Sequence, residues 1–189
     1  MRKIYLHCAM TLDGMVSNVD QWVSLTDEAL ADGITFHETI DAIIFGKNTY
    51  APLSAYWQQA ESSANSAAER TFAKQINDMH KYVLSHGEVE PTWRNTELLS
   101  VQDGATFKQA MHRLKQMPGK DIAVDAGEGT WRTFLESDMW DSLDLLVHPV
   151  MLGQGKPLFA SLPANTKLRL TVNKTYANGV INLRYERAY

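Results

Sequence analysis

Short apolar runs alternate along this chain with longer stretches of helical spacing. Residues 4–10 (Ile4-Tyr5-Leu6-His7-Cys8-Ala9-Met10) alternate loosely and stop at Thr11-Leu12-Asp13-Gly14, which predicts a buried strand and then a turn. A second run, Ala42-Ile43-Ile44-Phe45, halts at Gly46. Residues 81–84, 95–101 and 122–124 predict three more strands, and residues 143–151 another, broken by His148-Pro149. The last two runs, 168–176 and 180–185, flank Ala177-Asn178-Gly179, and Asn-Gly between alternating segments signals a hairpin. Between the runs, Thr26 as N-cap with Asp27 and Glu28 in the first turn predicts a helix to about residue 39. Residues 47–50 open a further helical or irregular segment. From 61 to 79 the composition shifts to Ala, Ser, Glu and Lys, yet Phe72, Ile76 and Met79 keep helical spacing, so one surface helix is expected there. Residues 105–116 carry Phe107, Met111 and Leu114 at helical spacing and stop before Pro118-Gly119. A last helix starts in the small-residue turn at 126–130 and ends near Met139-Trp140.

Strands that alternate with helices predict an α/β protein: three layers, α/β/α, with a mostly parallel mixed sheet closed by an antiparallel C-terminal hairpin. No repeat or linker divides the 189 residues, so a single domain over 1–189 is expected. Ligands of such sheets sit at the carboxyl ends of strands. Three of those ends carry small or polar residues: Gly46 with 47–49, Ser85-His86, and 126–130. The stretch 120–131 reads as strand, tight turn and helix, and such a turn lets backbone N–H groups and a helix N-terminus approach an anion.

Composition narrows the partners. A hydrophobic content of 44% is that of a globular protein, and a net charge of −4 gives no basic excess for nucleic acid. The one cysteine, Cys8, has no internal disulfide partner, which fits a reducing cytoplasm. No run is long enough to span a membrane, and Met1-Arg2-Lys3 leads straight into the first strand, so no leader is expected. His7, His37, His80, His86, His112 and His148 show no metal-ligand spacing, and neither a Gly-x-Ser-x-Gly elbow nor a Walker loop is present.

Taken together, residues 4–14, 41–50, 82–85, 122–135, 148–159 and 174–180 resemble the dihydrofolate reductase-like superfamily, and within it the reductase domain of riboflavin biosynthesis and its small stand-alone relatives. The resemblance spans nearly the whole chain and implies an NADPH-dependent reductase of a small heterocyclic (pterin- or pyrimidine-like) or carbonyl substrate, assembled as a homodimer. It places the nicotinamide near the end of the first strand, with the backbone of Ala9 facing the carboxamide and Val16 bordering the same pocket. Gly46, Lys47, Asn48 and Thr49 match the family's Gly-Arg-x-Thr segment at the cofactor phosphates; lysine for arginine keeps the charge and loses the bidentate fork. Leu84, Ser85 and His86 match the segment beside the adenine ribose, and Ala126, Gly127, Glu128, Gly129 and Thr130 match the pyrophosphate turn.

That turn departs from the family pattern. The family usually has Gly-Gly at Ala126-Gly127, often joined by a cis peptide. Ala126 adds a methyl, and Glu128 puts a carboxylate where N–H groups are to meet a pyrophosphate. These two residues sustain a competing reading, a non-catalytic nucleotide- or ligand-binding protein on a reductase-like fold. For the substrate, folate reductases use an acid on the first helix; of Asp27, Glu28, Asp32 and Glu38, Asp32 is singled out by its spacing before Gly46 as the catalytic acid, with a place on the solvent-facing helix surface as its alternative role. Asp13 and Trp22 are the candidate substrate-binding residues, with turn formation and core coverage as their alternative roles.

Overall fold

The computed structural model describes residues 1–160 and 166–188, and within them the apolar runs become the strands of one sheet. In chain order the elements are β1 (Ile4–Thr11), α1 (Asp27–His37), β2 (Ile40–Gly46), α2 (Lys47–Ser63), α3 (Ala67–Asp78), β3 (His80–Ser85), β4 (Thr96–Ser100), α4 (Gly104–Gln116), β5 (Asp121–Asp125), α5 (Glu128–Ser137), β6 (Ser142–His148), β7 (Leu168–Thr175) and β8 (Ile181–Arg187). The sheet order is β4-β3-β2-β5-β1-β6-β8-β7. The first six strands pair in parallel, and β8 lies antiparallel between β6 and β7. The C-terminal hairpin forms as expected. Gly179 takes φ +84° in its turn, and the Tyr176 and Val180 backbones close it, N to O at 2.8 Å.

Period-two alternation splits the sheet residues between two apolar layers. Ile4, Leu6, Cys8, Ile122 and Val124 pack with Phe107, Met111 and Leu114 of α4 and with Trp131 and Phe134 of α5. Ile43, Phe45, Val83 and Ala123 pack on the opposite face with Leu30 and Phe36 of α1, Tyr50 and Trp57 of α2, and Phe72 and Ile76 of α3. Cys8 is buried, and burial together with the nearby Asp125 charge raises its thiol far above the ordinary range. Among the described residues no helix is long and apolar enough to cross a membrane.

The segment 47–79 differs from the sequence reading. Instead of an undecided opening and one helix over 61–79, there are two helices. The first, α2, buries Tyr50, Ser54, Trp57 and Ala60, a stripe whose small polar members hide its period, and it carries Pro52 inside. The chain then turns extended at Ala64, and Ser66 starts α3 by accepting the Glu69 N–H at 3.3 Å. A buried lysine ties this pair to the sheet. Lys81 is fully buried, and its Nζ donates to the carbonyls of Ile76 (2.8 Å), Asn77 (3.0 Å) and Met79 (2.6 Å). It thereby satisfies groups that the end of α3 leaves open. Asn77 extends the network, donating to the Trp57 carbonyl at 3.0 Å and accepting from Trp93 Nε1 at 2.5 Å.

His37, at the end of α1, lies edge-on to Phe36 and Phe72, and its Nδ1 contacts the Gly33 carbonyl at 2.7 Å. Burial lowers its pKa from 6.5 to about 4, with the His7 charge adding to the effect against the Gly33 carbonyl. Above pH 6.5 neither state holds the proton. As pH falls from 6.5 towards 4 the unfolded chain takes it and the native state does not, so stability drains away over that interval. Urea unfolding at several pH values is expected to show His37→Asn free of a loss that reaches about 3 kcal/mol in the wild type by pH 4. Parallel pH profiles for the two proteins would remove His37 as the cause.

Candidate functional site

Because β3, β2, β5 and β1 are adjacent and parallel, their carboxyl ends line one edge of the sheet. Gly46 is level with Leu84 and Phe45 with Asp125, so the three strand ends singled out in the sequence meet there. Two helices start at this edge. Gly46 is the N-cap of α2 and Gly127 that of α5, and neither N-cap has a side-chain hydrogen bond. First-turn N–H groups of both helices are thus left for another partner. The Gly127 N–H donates to Thr49 Oγ1 at 3.1 Å, which joins the two turns. A β-carbon on Gly46 would lie 2.5 Å from Thr130 Oγ1 and 3.5 Å from the Ala126 methyl, so glycine is required by close approach; its φ of −75° suits any residue.

Other residues of this edge take varied positions. The Ala126 methyl is buried in the α4/α5 layer, and no cis peptide occurs among the described residues. Glu128 is paired with Lys156 Nζ at 3.6 Å, and Gly129 is exposed. Lys47 and Asn48 are exposed, with Lys47 Nζ 3.4 Å from the Glu88 carbonyl. Leu84 is buried in the same layer as Ala126. Ser85 Oγ accepts the Gly87 N–H at 3.1 Å, and His86 is exposed with Nδ1 3.0 Å from the Val101 carbonyl.

The loops after β1 and β6 form a second assembly. The Asp13 carboxylate accepts the N–H groups of Leu152 (3.1 Å) and Gly153 (2.7 Å) and the Thr11 hydroxyl, and these bonds hold it below the ordinary carboxylate range. The Val16 N–H donates to the Lys156 carbonyl at 2.9 Å, and Trp22 Nε1 to the Ser17 carbonyl at 2.8 Å. Trp22 is buried edge-on to His148, and Ala9 lies on β1 half-buried beside Leu146 of β6. Asp32 stands apart from both groups. Its carboxylate accepts the Tyr176 hydroxyl at 3.0 Å and pairs with Lys174 at 2.6 Å, clasping α1 to the C-terminal hairpin, and its side chain is 42% exposed.

A row of charged residues beneath α1 escaped the sequence reading. His7 is level with Asp125 on β5 and with Asp144 on β6, and Asp144 in turn with Arg184 on β8. Buried Asp144 accepts from Asn182 Nδ2 and from Arg184 Nη2, both at 2.6 Å, and its Oδ2 lies 3.8 Å from His7 Nδ1. Burial opposes the charge on Asp144, yet His7 and Arg184 outweigh it and hold the carboxyl well below its ordinary value. Burial likewise opposes the His7 imidazolium, but Asp144 and Asp125 prevail and raise its pKa above 6.5. Burial raises Asp125, against His7. The only sequence signal was a polar residue within each apolar run, His7 in 4–8 and Asp144 in 143–146. Among the described residues no cluster of three or more His, Cys, Asp or Glu is placed to hold a metal ion.

A family model described as the RibD C-terminal domain matches residues 2–182. The chain is 30% identical over 191 residues to YwjB of Bacillus subtilis (strain 168), an uncharacterized protein, covering 99% of each. Among solved structures it is similar to RibD of Acinetobacter baumannii, with a TM-score of 0.70 and 19% identity over 100% of this chain and 59% of that one. It is also similar to dihydrofolate reductase from Enterococcus faecalis, solved with NADP(H), with a TM-score of 0.65 and 10% identity over 99% of this chain and 97% of that one. At these identities the two structures speak for the fold.

The packing around Gly46 gives a direct test. Gly46→Ala is expected to cost about 1–3 kcal/mol in urea unfolding, because the new methyl drives against Thr130. Thr130→Ala in the same chain should recover part of that loss. Strictly additive costs would mean that Thr130 is not what excludes a side chain at Gly46.

Proposed function

The chain belongs to the RibD C-terminal domain family, and from this we propose that it is an NADPH-dependent reductase of a small heterocyclic (pterin- or pyrimidine-like) or carbonyl substrate. The observation that carries the reading is the pair of helix N-termini, capped only by Gly46 and Gly127, that open at one sheet edge and are joined through Thr49. Uncapped N–H groups at two such ends suit a pyrophosphate. The residues present fit that group: the Ala126 methyl is sunk in the core, and the Glu128 charge is matched by Lys156.

In this reading Gly46, Asn48, Thr49, Gly127, Gly129 and Thr130 hold the phosphates, with Lys47 beside the 2′-phosphate. Leu84, Ser85 and His86 border the adenosine, and Ala9 and Val16 the nicotinamide. The bound cofactor supplies a hydride, and the protein contributes position, exclusion of water and a proton. Asp13 and Asp32 act through structure, since the carboxylate of each already has protein partners; Asp32 fixes α1 to the C-terminal hairpin and Asp13 fixes the loop beside Val16. Trp22 walls the pocket from the same loop assembly.

Titration of the intrinsic tryptophan fluorescence with NADPH and with NADH tests the reading. NADPH is expected to bind more tightly, and Lys47→Ala to weaken NADPH about tenfold while leaving NADH nearly unchanged. Equal loss for both would take Lys47 out of the 2′-phosphate role, and binding of neither would end the reductase reading. Saturable binding without turnover of any carbonyl or imine acceptor would favour a ligand-binding protein.

The exposed edge strand β7, which presents Leu168 and Leu170, supports assembly as a homodimer. Light scattering should then give twice the 21.3 kDa of one chain. A monomeric mass would end that part of the proposal.

A further inference from the structure

The polar row beneath α1 has no structural need for all its members. Asp144 is satisfied by Asn182 and Arg184 without His7, and a strand position between Leu6 and Cys8 would pack as well with an apolar residue. Yet His7 is held in a definite pose. Its ring lies 6.2 Å from that of Phe36 at 22°, and its buried Nδ1, which has no hydrogen-bond partner among the described residues, lies 3.8 Å from Asp144 Oδ2. The side chain is nevertheless 27% exposed, so the open part is the rest of the ring, where Nε2 has no hydrogen-bond partner among the described residues. His7 stands two residues before Ala9 on β1 and therefore on the same sheet face. On its other side is Asp125, the residue before the Ala126-Gly127 turn.

We propose that His7 donates the proton that completes reduction of the substrate, with Asp144 as the positioning residue behind its ring. The inference rests on the reductase reading given above. Reduction of a C=N or C=O bond brings a hydride to carbon from the bound cofactor and sends the π electron pair to nitrogen or oxygen. That atom must then take a proton. The His7 Nε2–H bond breaks as the new N–H or O–H bond forms, and the neutral imidazole recovers a proton from water at its open edge. Asp144 faces the ring from the far side, 3.8 Å from Nδ1, and its charge favours the protonated form. The charged or titratable groups that face His7 are Asp125 on β5, Asp144 on β6, Arg184 on β8 and His37 on α1. Of these, the Asp125 carboxylate accepts no hydrogen bond among the described residues, so it can accept from a donor group of the substrate.

The test follows the imidazole resonances of the full-length, isotope-labelled protein against pH, with His7 assigned by through-bond correlation. Three samples are compared: the free protein, the protein saturated with NADPH, and the protein saturated with NADP⁺. In the free protein His7 is expected to titrate above 6.5, and in Asp144→Asn its midpoint falls by about one pH unit. The midpoint with NADP⁺ should lie about half a pH unit or more below that with NADPH, because oxidation puts a positive charge on the nicotinamide ring beside the imidazolium. A histidine turned away from the nicotinamide would not sense that charge. Equal midpoints in the two complexes would overturn the proton-donor role while leaving the cofactor site standing. An unchanged midpoint in Asp144→Asn would overturn the positioning role. If NADPH shifts neither His7 nor the amides of Gly46 and Thr49, the reductase reading fails, and this inference with it.

Discussion

The alternation of β1 decides what its neighbours face. Ile4, Leu6 and Cys8 turn into the dry layer under α4 and α5, while Tyr5, His7 and Ala9 turn towards α1. A slip of one residue would put the imidazole in the dry layer and three apolar side chains on the polar side. The same split passes to the strands paired with β1. On β5, Ile122 and Val124 separate from Ala123 and Asp125; on β6, Leu143 and Leu145 separate from Asp144. The charged row is therefore a product of register. Its members need no attraction to find one another once the apolar positions have chosen their side.

This also explains which features could be read from the residues alone. Period-two runs bounded by turn residues are local signals, so the strands, their mainly parallel arrangement and the hairpin at Asn178-Gly179 were legible. The helix α2 was not, because Ser54 and Ala60 dilute its buried stripe and Pro52 suggests an interruption. That three strand ends with small residues meet at one sheet edge was legible in outline, without knowing that Thr130 leaves no room for a side chain at Gly46. The polar row was not. His7 and Arg184 reach the same carboxylate from strands separated by most of the chain, and each looks like an isolated polar residue in its own run. Asp32 was singled out by its spacing along α1, and its bond to Tyr176, 144 residues away, could not be read from the residues alone.

The two substitutions that set this chain apart from the family pattern are absorbed differently. The Ala126 methyl fits because it faces the core beside Gly46, where a glycine already leaves space. Glu128 is a charge at a helix start, favourable for the isolated helix and unfavourable for a bound anion. Lys156 offsets it from a loop that is itself fastened to the residues after β1 through Val16 and Asp13. The edge where α5 starts and the loop assembly thus meet in an exposed ion pair.

Cys8 sits one strand position beyond His7 and faces the other way, shut beneath α4 and α5 with its thiol pushed strongly towards the protonated form. Nothing in solution can alkylate or oxidise it until the central strand parts from its helices. The lone sulfur is therefore a built-in clock for opening of the core: its rate of modification counts excursions that part β1 from the residues packed over it, Val16 and Leu158 of the neighbouring loops included.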